Sequence, residues 1–205
     1  MTKPFRSALA GCGVLAMCLA FATTGCEEPE ATAQQPAGSQ ASRPHGGESS
    51  LMAAEVDMPK AGVAVLHSKA KDGVDGTIHF EQTDQGLRIT GKVKGLEPGK
   101  HGFHIHEYGD LSDPEAKSAG GHYNPDDSQH GGPDMADHHA GDLGNIEAGQ
   151  DGVANVDMTA PWLKLHFVVG RAMVVHGGED DLQSQPSGDA GPRVAAGVIG
   201  VAKGK

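Results

Sequence analysis

The chain has 205 residues, a length that allows one domain of ordinary size with flanking segments. Aromatic residues make up only 4% of it and glycine accounts for 31 residues, so we do not expect long packed helices to dominate. The formal net charge of −11 at pH 7 argues against nucleic acid or an anionic membrane surface as a partner.

Residues 1–25 have the features of an export signal. Two basic residues precede an apolar stretch, Ala8 to Ala22, that is too short to span a membrane and is followed by polar residues. Thr23-Thr24-Gly25-Cys26 then resembles a bacterial lipoprotein signal, in which Cys26 becomes the lipidated N terminus. The alternative is an ordinary secretory signal cleaved nearby. We therefore expect an exported protein of the periplasm or cell envelope, held to a membrane by a lipid anchor at Cys26.

All three cysteines lie in this N-terminal part, at positions 12, 18 and 26. The exported compartment permits disulfides, yet the part of the chain that folds has no cysteine with which to make one. Residues 26–58 are rich in Pro, Gly, Ser, Gln and Glu and have almost nothing to bury, which predicts a flexible tether. The folded domain is predicted to span residues 59–205.

Short stretches of alternating apolar residues begin near residue 60, and Gly or Asp-Gly turns separate many of them. No convincing helical period is present. The pattern predicts an all-β fold, an antiparallel sandwich or barrel of about eight strands. The candidate strands are 63–67, 77–81, 87–93, 101–106, 153–158, 163–168, 171–176 and 195–202.

Four histidines form a candidate copper site. His104 and His106 are two residues apart in a strand, so their side chains share a face about 7 Å apart. His176 ends an apolar strand that can present it rigidly. Together with His122 they offer four imidazoles, the type of donor that suits copper(II). A lone His-x-His pair would be weak evidence of a metal, whereas the whole set is a much stronger signal.

The segment 107–145 and the segment 177–193 are long, polar and rich in Gly, Pro and Asp. Loops of this length in a compact domain are usually functional or disordered. The first carries three histidines and an aspartate at intervals of eight, nine and three residues, a donor set typical of structural zinc. We expect a metal to order this loop, although a His-rich loop can also bind metals loosely. The four residues are His122, His130, His139 and Asp142.

Residues 61–202 resemble the copper–zinc superoxide dismutase family. The matching motifs are G-K-H-G-F-H-I-H-E-Y-G-D, S-A-G-G-H-Y-N-P, H-G-G-P, H-A-G-D-L-G-N-I, G-R-A-M-V-V-H and G-D-A-G-P-R-V-A-A-G-V-I-G-V-A. The resemblance implies an eight-stranded antiparallel Greek-key barrel with a metal-binding loop and an electrostatic loop. It implies an enzyme that converts superoxide to oxygen and hydrogen peroxide, with one copper and one zinc ion per subunit, and it leaves room for a homodimer.

The resemblance also implies a role for individual residues. Arg193 matches the arginine that guides superoxide, and Asp180 matches a carboxylate that links the copper-side and zinc-side histidines, with Asp181 as a rival. His101 matches a histidine that packs structurally, and His138 is expected at the surface. Copper is implied at His104, His106, His122 and His176, and zinc at His122, His130, His139 and Asp142, so that His122 bridges the metals and takes part in catalysis.

Two departures from the family pattern stand out. Ala116 and Ala196 occupy the positions of a disulfide that usually ties the metal-binding loop to the last strand. The second loop is short, with 16 residues between His176 and Arg193. We therefore expect stability to depend strongly on zinc. Two other readings stay open: a non-catalytic copper- or zinc-binding module of this fold, and a cell-surface interaction domain with purely structural metals.

Overall fold

The structure, a computed structural model, describes residues 58–69 and 73–204. The predicted export signal, the lipid attachment at Cys26 and all but the last residue of the predicted tether lie outside the described residues. Within the described ranges, no helix is long and apolar enough to cross a membrane.

Antiparallel strands close into a barrel, which confirms the predicted all-β fold. The pairing order is β2-β3-β6-β5-β4-β7-β8-β1, and β1 pairs back with β2 to close the ring. This order departs from chain order in the manner of a Greek key. A two-residue strand, β9, extends the pairing of β1. The strands are β1 Ala61–Ser68, β2 Asp75–Thr83, β3 Gly86–Lys94, β4 Gly99–His106, β5 Asp142–Ala148, β6 Val153–Ala160, β7 Ala172–His176, β8 Arg193–Val198 and β9 Gly200–Val201.

Apolar and polar residues alternate along the strands, and the apolar ones form the barrel core. In β3, Leu87, Ile89 and Val93 are fully buried, while Arg88 and Lys92 face outward. Each such side chain contributes roughly 1.5–3 kcal/mol when it leaves water. The outward positions carry polar pairs such as Arg88 with Asp157 of β6, whose exposed side chains lie 3.3 Å apart. The barrel is therefore held together mainly by apolar burial.

The prediction of a strand at 163–168 was wrong. Leu165–Val168 forms one turn of α-helix, α1. Leu165 and Val168 are three residues apart, a spacing that places both on the same face of a helix, and both are buried in the core. The Leu165 N–H donates to the Gln82 side chain at 2.8 Å, which fixes the start of the turn. A short apolar run of this kind fits a strand or a helix equally well by pattern alone.

The predicted loop at 107–145 is also too long at its C-terminal end. Strand β5 begins at Asp142, pairs with β4 and supplies the strand that 163–168 does not. Its sequence, D-L-G-N-I-E-A, alternates only weakly because Gly144 and Asn145 interrupt the apolar positions. The consequence matters for the site, since Asp142 is presented by a strand rather than by a free loop.

A second, smaller apolar cluster lies apart from the main core. It contains Ala116 and Ala119 of the loop after β4, together with residues of β7 and β8. Ala116 and Ala196, at the two positions where the family resemblance places cysteines, are both almost fully buried in it. Small apolar side chains therefore pack where the resemblance implies a covalent link. The cluster consists of Ala116, Ala119, Ala172, Val174 and Ala196, with Leu111 packed against it.

Candidate metal centre

Strand β4 presents His104 and His106 on one face. Phe103 and Ile105, which alternate with them, are fully buried in the main core. The two histidines therefore lie on the outer face of the barrel. They are nevertheless inaccessible to solvent, with exposures of 0% and 1%, because loops cover that face.

Two further strands deliver His176 and Arg193. His176 is the last residue of β7, which pairs with β4, and Arg193 is the first residue of β8. The two residues are cross-strand partners, next to an irregularity in the β7–β8 pairing. The pairing of β7 with β8 therefore places the cationic residue Arg193 beside His176.

His122 completes a group of four imidazoles, here called the four-histidine group. Its backbone forms an isolated bridge with His106, and its ring centroid lies 4.0 Å from that of His104. One ligand nitrogen from each member lies within 4.8 Å of the others, and all four residues are buried. The members are His104, His106, His122 and His176.

A three-histidine group adjoins the first and shares His122 with it. Asp142 lies at its centre. The Asp142 carboxylate places Oδ1 2.7 Å from His122 Nδ1 and 3.2 Å from His139 Nδ1, and Oδ2 3.1 Å from His130 Nδ1. The donor atoms again lie within 4.8 Å of one another. The members are His122, His130, His139 and Asp142, the set predicted for zinc.

The outward-facing ring nitrogens have fixed partners. Asp180 bridges the two groups, with Oδ2 2.7 Å from His104 Nε2 and Oδ1 2.9 Å from His130 Nε2. His106 Nδ1 lies 3.0 Å from the Gly120 carbonyl, and His176 Nδ1 lies 3.1 Å from a backbone carbonyl. Histidines that bind metals almost always donate their other ring N–H to such a carboxylate or carbonyl.

Asp181, the rival considered for the bridging carboxylate, is exposed and contacts neither group. It accepts hydrogen bonds from the backbone of Gln183 and Ser184 within its own turn. Asp180 is fixed from behind by Asn145, whose side chain accepts from the Asp180 N–H and donates to its carbonyl, both at 2.8 Å. The structure therefore places Asp180, and not Asp181, between the two groups.

The inward-facing nitrogens fit two metal ions. Among the described residues, three buried side-chain nitrogens have no hydrogen-bond partner: His104 Nδ1, His122 Nε2 and His130 Nδ1. Buried polar atoms without a partner are rare and costly. Because the opposite nitrogen of each ring is already occupied, the free nitrogens can point only into the two groups. Imidazole and carboxylate donors in these numbers suit copper and zinc.

Burial keeps the four-histidine group ready to bind a cation. It lowers the pKa of His104 to about 4 and that of His176 to about 3, and it holds the pKa of His106 well below its usual range. Repulsion from neighbouring histidines adds to the effect in each case. At neutral pH the imidazoles of His104, His106 and His176 are neutral, so protons do not compete with a metal for these three.

In the three-histidine group burial lowers the pKa of His139, whereas His130 shows the opposite shift. Burial alone would lower the pKa of His130 and raise that of Asp142. The attraction between them, together with the contacts of His130 to Asp180 and of Asp142 to His122, outweighs burial in both cases. The pKa of His130 rises to about 9, and the pKa of Asp142 falls far below its usual range. A carboxylate that stays ionised at the centre of the group favours a bound cation.

Arg193 lies at the wall of a cleft that leads to the four-histidine group. Its guanidinium donates to the Ala116 carbonyl and, at 2.6 Å, to the Gly120 carbonyl. These bonds hold the metal-binding loop to β8. The cleft has a volume of about 460 Å³, and Arg193 lines it together with His106, Gly120, Gly121, His122, Asn124, His139, His176, Pro186, Ser187 and Gly191.

His101 and His138, which were not expected to bind metals, belong to neither group. His101 is buried, and its two ring nitrogens lie 2.9 Å and 2.8 Å from the carbonyls of His176 and Glu97. His138, expected at the surface, is half-buried, because it packs edge-on against Trp162 with ring centroids 4.7 Å apart. The Trp162 indole also donates to the Ala140 carbonyl at 3.1 Å, next to a predicted zinc ligand.

Several residues around the site were not predicted. Asn145 hydrogen-bonds Asp180, Gln185 hydrogen-bonds the His130 backbone, and Ser187 lines the cleft. Asn145 lies inside the H-A-G-D-L-G-N motif, so its position in the motif was the available signal. Gln185 and Ser187 lie in a short loop that has no recognisable motif or periodicity. Their contacts depend on how that loop folds back.

Comparisons with known proteins agree with this geometry. The sequence model of the copper/zinc superoxide dismutase family matches residues 74–199. The extracellular copper–zinc superoxide dismutase of Brugia pahangi is 40% identical over 151 residues, which cover 68% of this chain and 75% of that protein. The copper–zinc superoxide dismutase of Onchocerca volvulus is 42% identical over 153 residues, covering 68% and 94%. A crystal structure of the clock protein EA4 has 38% sequence identity and a TM-score of 0.65, covering 70% of this chain and 96% of that one.

A Greek-key barrel whose outer face buries two adjoining, nitrogen-rich donor groups is the architecture of a protein that binds paired transition metals. The chain belongs to the copper/zinc superoxide dismutase family. It is an oxidoreductase that uses copper and zinc and takes superoxide as its substrate.

Proposed function

We propose that this enzyme dismutates superoxide at a copper centre that His122 bridges to zinc, as part of antioxidant defence outside the cytoplasm. The observation that carries the proposal is the position of His122 in both donor groups. Its Nδ1 lies beside Asp142, and its Nε2 is buried without another partner among the described residues. Each nitrogen of one ring is thus available to a different metal.

The two groups would hold different metals. Copper in the four-histidine group would supply the one-electron couple for superoxide, while zinc in the three-histidine group would be a closed structural site. Asp180 accepts from the outer nitrogen of His104 and of His130, and so orients one histidine in each group. This contact makes the groups interdependent, because a shift of one ring moves the carboxylate that orients the other.

Arg193 would bind and orient the anionic substrate. Two carbonyl oxygens hold its guanidinium at the cleft wall, while a guanidinium has five N–H donors in all. The remaining donors are free to meet a small anion that enters the cleft. Since the chain as a whole is acidic, this fixed cation provides local attraction where the rest of the surface repels.

His122 would also deliver a proton. Its Nε2 faces the four-histidine group beneath the cleft, and the opposite nitrogen, Nδ1, lies beside the Asp142 carboxylate. When Nε2 is not a ligand it can hold a proton and transfer it to the reduced substrate. A positioned side chain of this kind typically contributes about 10²- to 10⁴-fold to the rate.

The test replaces His122 with alanine in the copper-loaded protein. We expect superoxide dismutation to fall by at least about 100-fold, because the variant loses a ligand, the link between the metals and a proton donor. The matched control is His166→Ala, which removes an exposed imidazole on α1 that belongs to neither donor group. Near-normal turnover in copper-loaded His122→Ala would refute the bridging role.

The complete set of four histidines favours the enzyme over a non-catalytic metal-binding module of the same fold. Selective removal of copper separates the two, since the enzyme must lose its activity and regain it on copper addition. The extracellular name of the Brugia pahangi relative supports export. Attachment at Cys26 and pairing into a homodimer remain proposals, testable by mass spectrometry of the mature N terminus and by light scattering.

A further inference from the structure

The short loop that follows Asp180 folds into a self-contained turn. The Asp181 carboxylate accepts from the N–H groups of Gln183 and Ser184, and the Asp181 N–H donates to the Gly188 carbonyl at 2.9 Å. The Gly188 N–H in turn donates to the Ser184 carbonyl at 2.7 Å. The turn is therefore closed by its own hydrogen bonds, and Gln185 is one of its residues.

The Gln185 side chain pairs with the backbone of His130 across 55 residues of sequence. Its Oε1 accepts from the His130 N–H at 2.8 Å, and its Nε2 donates to the His130 carbonyl at 2.8 Å. Within the described part of the chain, these are the hydrogen bonds that satisfy both backbone groups of this buried residue. The single side-chain amide of Gln185 thus fixes the backbone of His130, from which the ring projects.

The same turn also covers the ring of His130. Gly188 has φ +65°, and a Cβ added there would lie 1.8 Å from Asp180 Oδ1 and 2.7 Å from His130 Nε2. The backbone at this position therefore lies directly against the hydrogen bond between Asp180 and His130. His130 is thus positioned twice, through its backbone by Gln185 of the turn and through its ring by Asp180, which precedes the turn.

The residues beside Gln185 face the substrate cleft. Pro186 and Ser187 line it together with Arg193. Because Gln185 fixes the position of this segment relative to His130, it attaches the metal-binding loop to the wall of the cleft. No disulfide can supply that attachment, since all three cysteines precede residue 27.

We propose that Gln185 is a positioning residue: its amide clasps His130 in the geometry of a zinc ligand and ties the metal-binding loop to the wall of the substrate cleft. The proposal rests on the zinc role of His130 given under the proposed function. It predicts that the clasp acts on zinc retention and on the shape of the zinc site, and not only on overall stability.

Gln185→Ala removes both hydrogen bonds, and Gln185→Glu keeps the size and the acceptor but replaces the donor with an oxygen that faces the His130 carbonyl. In the full-length, metal-loaded protein, we expect both variants to lose zinc to a chromogenic chelator about tenfold faster than the wild type. The control is Gln183→Ala, an exposed glutamine in the same turn that contacts Gln185 through its backbone carbonyl alone. It should retain zinc like the wild type.

Cobalt(II) in the zinc site gives a second readout. We expect the visible absorption bands of cobalt to shift in both Gln185 variants and to stay unchanged in Gln183→Ala. A merely structural role would lower the melting temperature while leaving the cobalt bands and zinc release of the folded protein as in the wild type, and that result would overturn the proposal. If Gln185→Ala does not fold, Gln185→Glu decides in the same way.

The outcomes separate this inference from the proposed function. A wild-type protein that takes up no zinc, or does not dismutate superoxide when loaded with copper, would refute the proposed function itself. A wild type that does both, with Gln185 variants that match it in zinc release and cobalt spectrum, would refute the clasp alone.

Discussion

The barrel and the loops that cover one of its faces are stabilised by different kinds of interaction. Strands such as β3 bury leucine, isoleucine and valine at alternate positions, and their outward side chains are polar and exposed. The loops after β4 and β7 bury histidine and aspartate instead. Burying such groups costs free energy unless they are hydrogen-bonded or bind a metal. The barrel should therefore persist without metals, whereas the loops should not.

Metal removal is the sharpest way to test that difference. A ligand that binds the folded state alone and is present at 1,000 times its Kd stabilises that state by about 4 kcal/mol. For a domain of this size, we expect the melting temperature to fall by about 10 °C or more when copper and zinc are removed. Differential scanning calorimetry of the metal-free and reconstituted protein measures the change.

Hydrogen exchange on the same samples tells where the loss occurs. In the metal-free protein, we expect faster amide exchange in residues 107–141 and 177–192, while the amides of β3 and β6 remain protected. Equal loss of protection in the barrel and in the loops would contradict the division proposed here. So would a melting temperature that metal removal leaves unchanged.

A new disulfide between the metal-binding loop and the barrel should stabilise the loop, but by less than the metals do. Ala116 and Ala196 share one buried apolar cluster, at the two positions where the family resemblance places cysteines. We expect the oxidised double variant Ala116→Cys/Ala196→Cys to be about 2–4 kcal/mol more stable than its reduced form, as disulfides typically are. Urea denaturation of the metal-free protein measures this free energy of unfolding.

The reduced double variant is the matched control, because it contains the same two sulfur atoms without the bond. The gain should be largest in the metal-free protein, where the loop lacks its other anchor. An oxidised form that is no more stable than the reduced form would mean that Arg193 and the alanine cluster already fix this end of the loop.

The barrel and the loops also differ in how well they could be predicted from the sequence. Strand β3 was predictable because burial on one face forces a period of two, and the sequence displays it. The metal donors were predictable because their residue types and spacing carry chemical information. Strand β5 was missed because Gly144 and Asn145 break its alternation, and the turn of helix at Leu165–Val168 was read as a strand because a short apolar run fits both.

The contacts that orient the donors could not be predicted from pattern. Gln185 lies 55 residues from His130 in sequence, and nothing in a single glutamine indicates which backbone it will meet. Asp180 and Asp181 are adjacent carboxylates of the same type, and only the path of the loop decides between them. Residues that act through long-range polar contacts in loops are thus the part of a site that spacing does not encode.

Of the changes predicted here, a change in ionic strength should have the smallest effect, and it acts on kcat/KM. Arg193 is fixed within the cleft, so its attraction for superoxide acts over distances shorter than the Debye length of about 10 Å at 0.1 M salt. We expect kcat/KM to fall by less than about tenfold when salt rises from 10 to 150 mM. Pulse radiolysis at several salt concentrations measures the slope. Arg193→Lys, which keeps the charge, should show a similar slope, and Arg193→Ala a flatter one at a lower rate. A steep slope in Arg193→Ala would mean that charges outside the cleft steer the substrate.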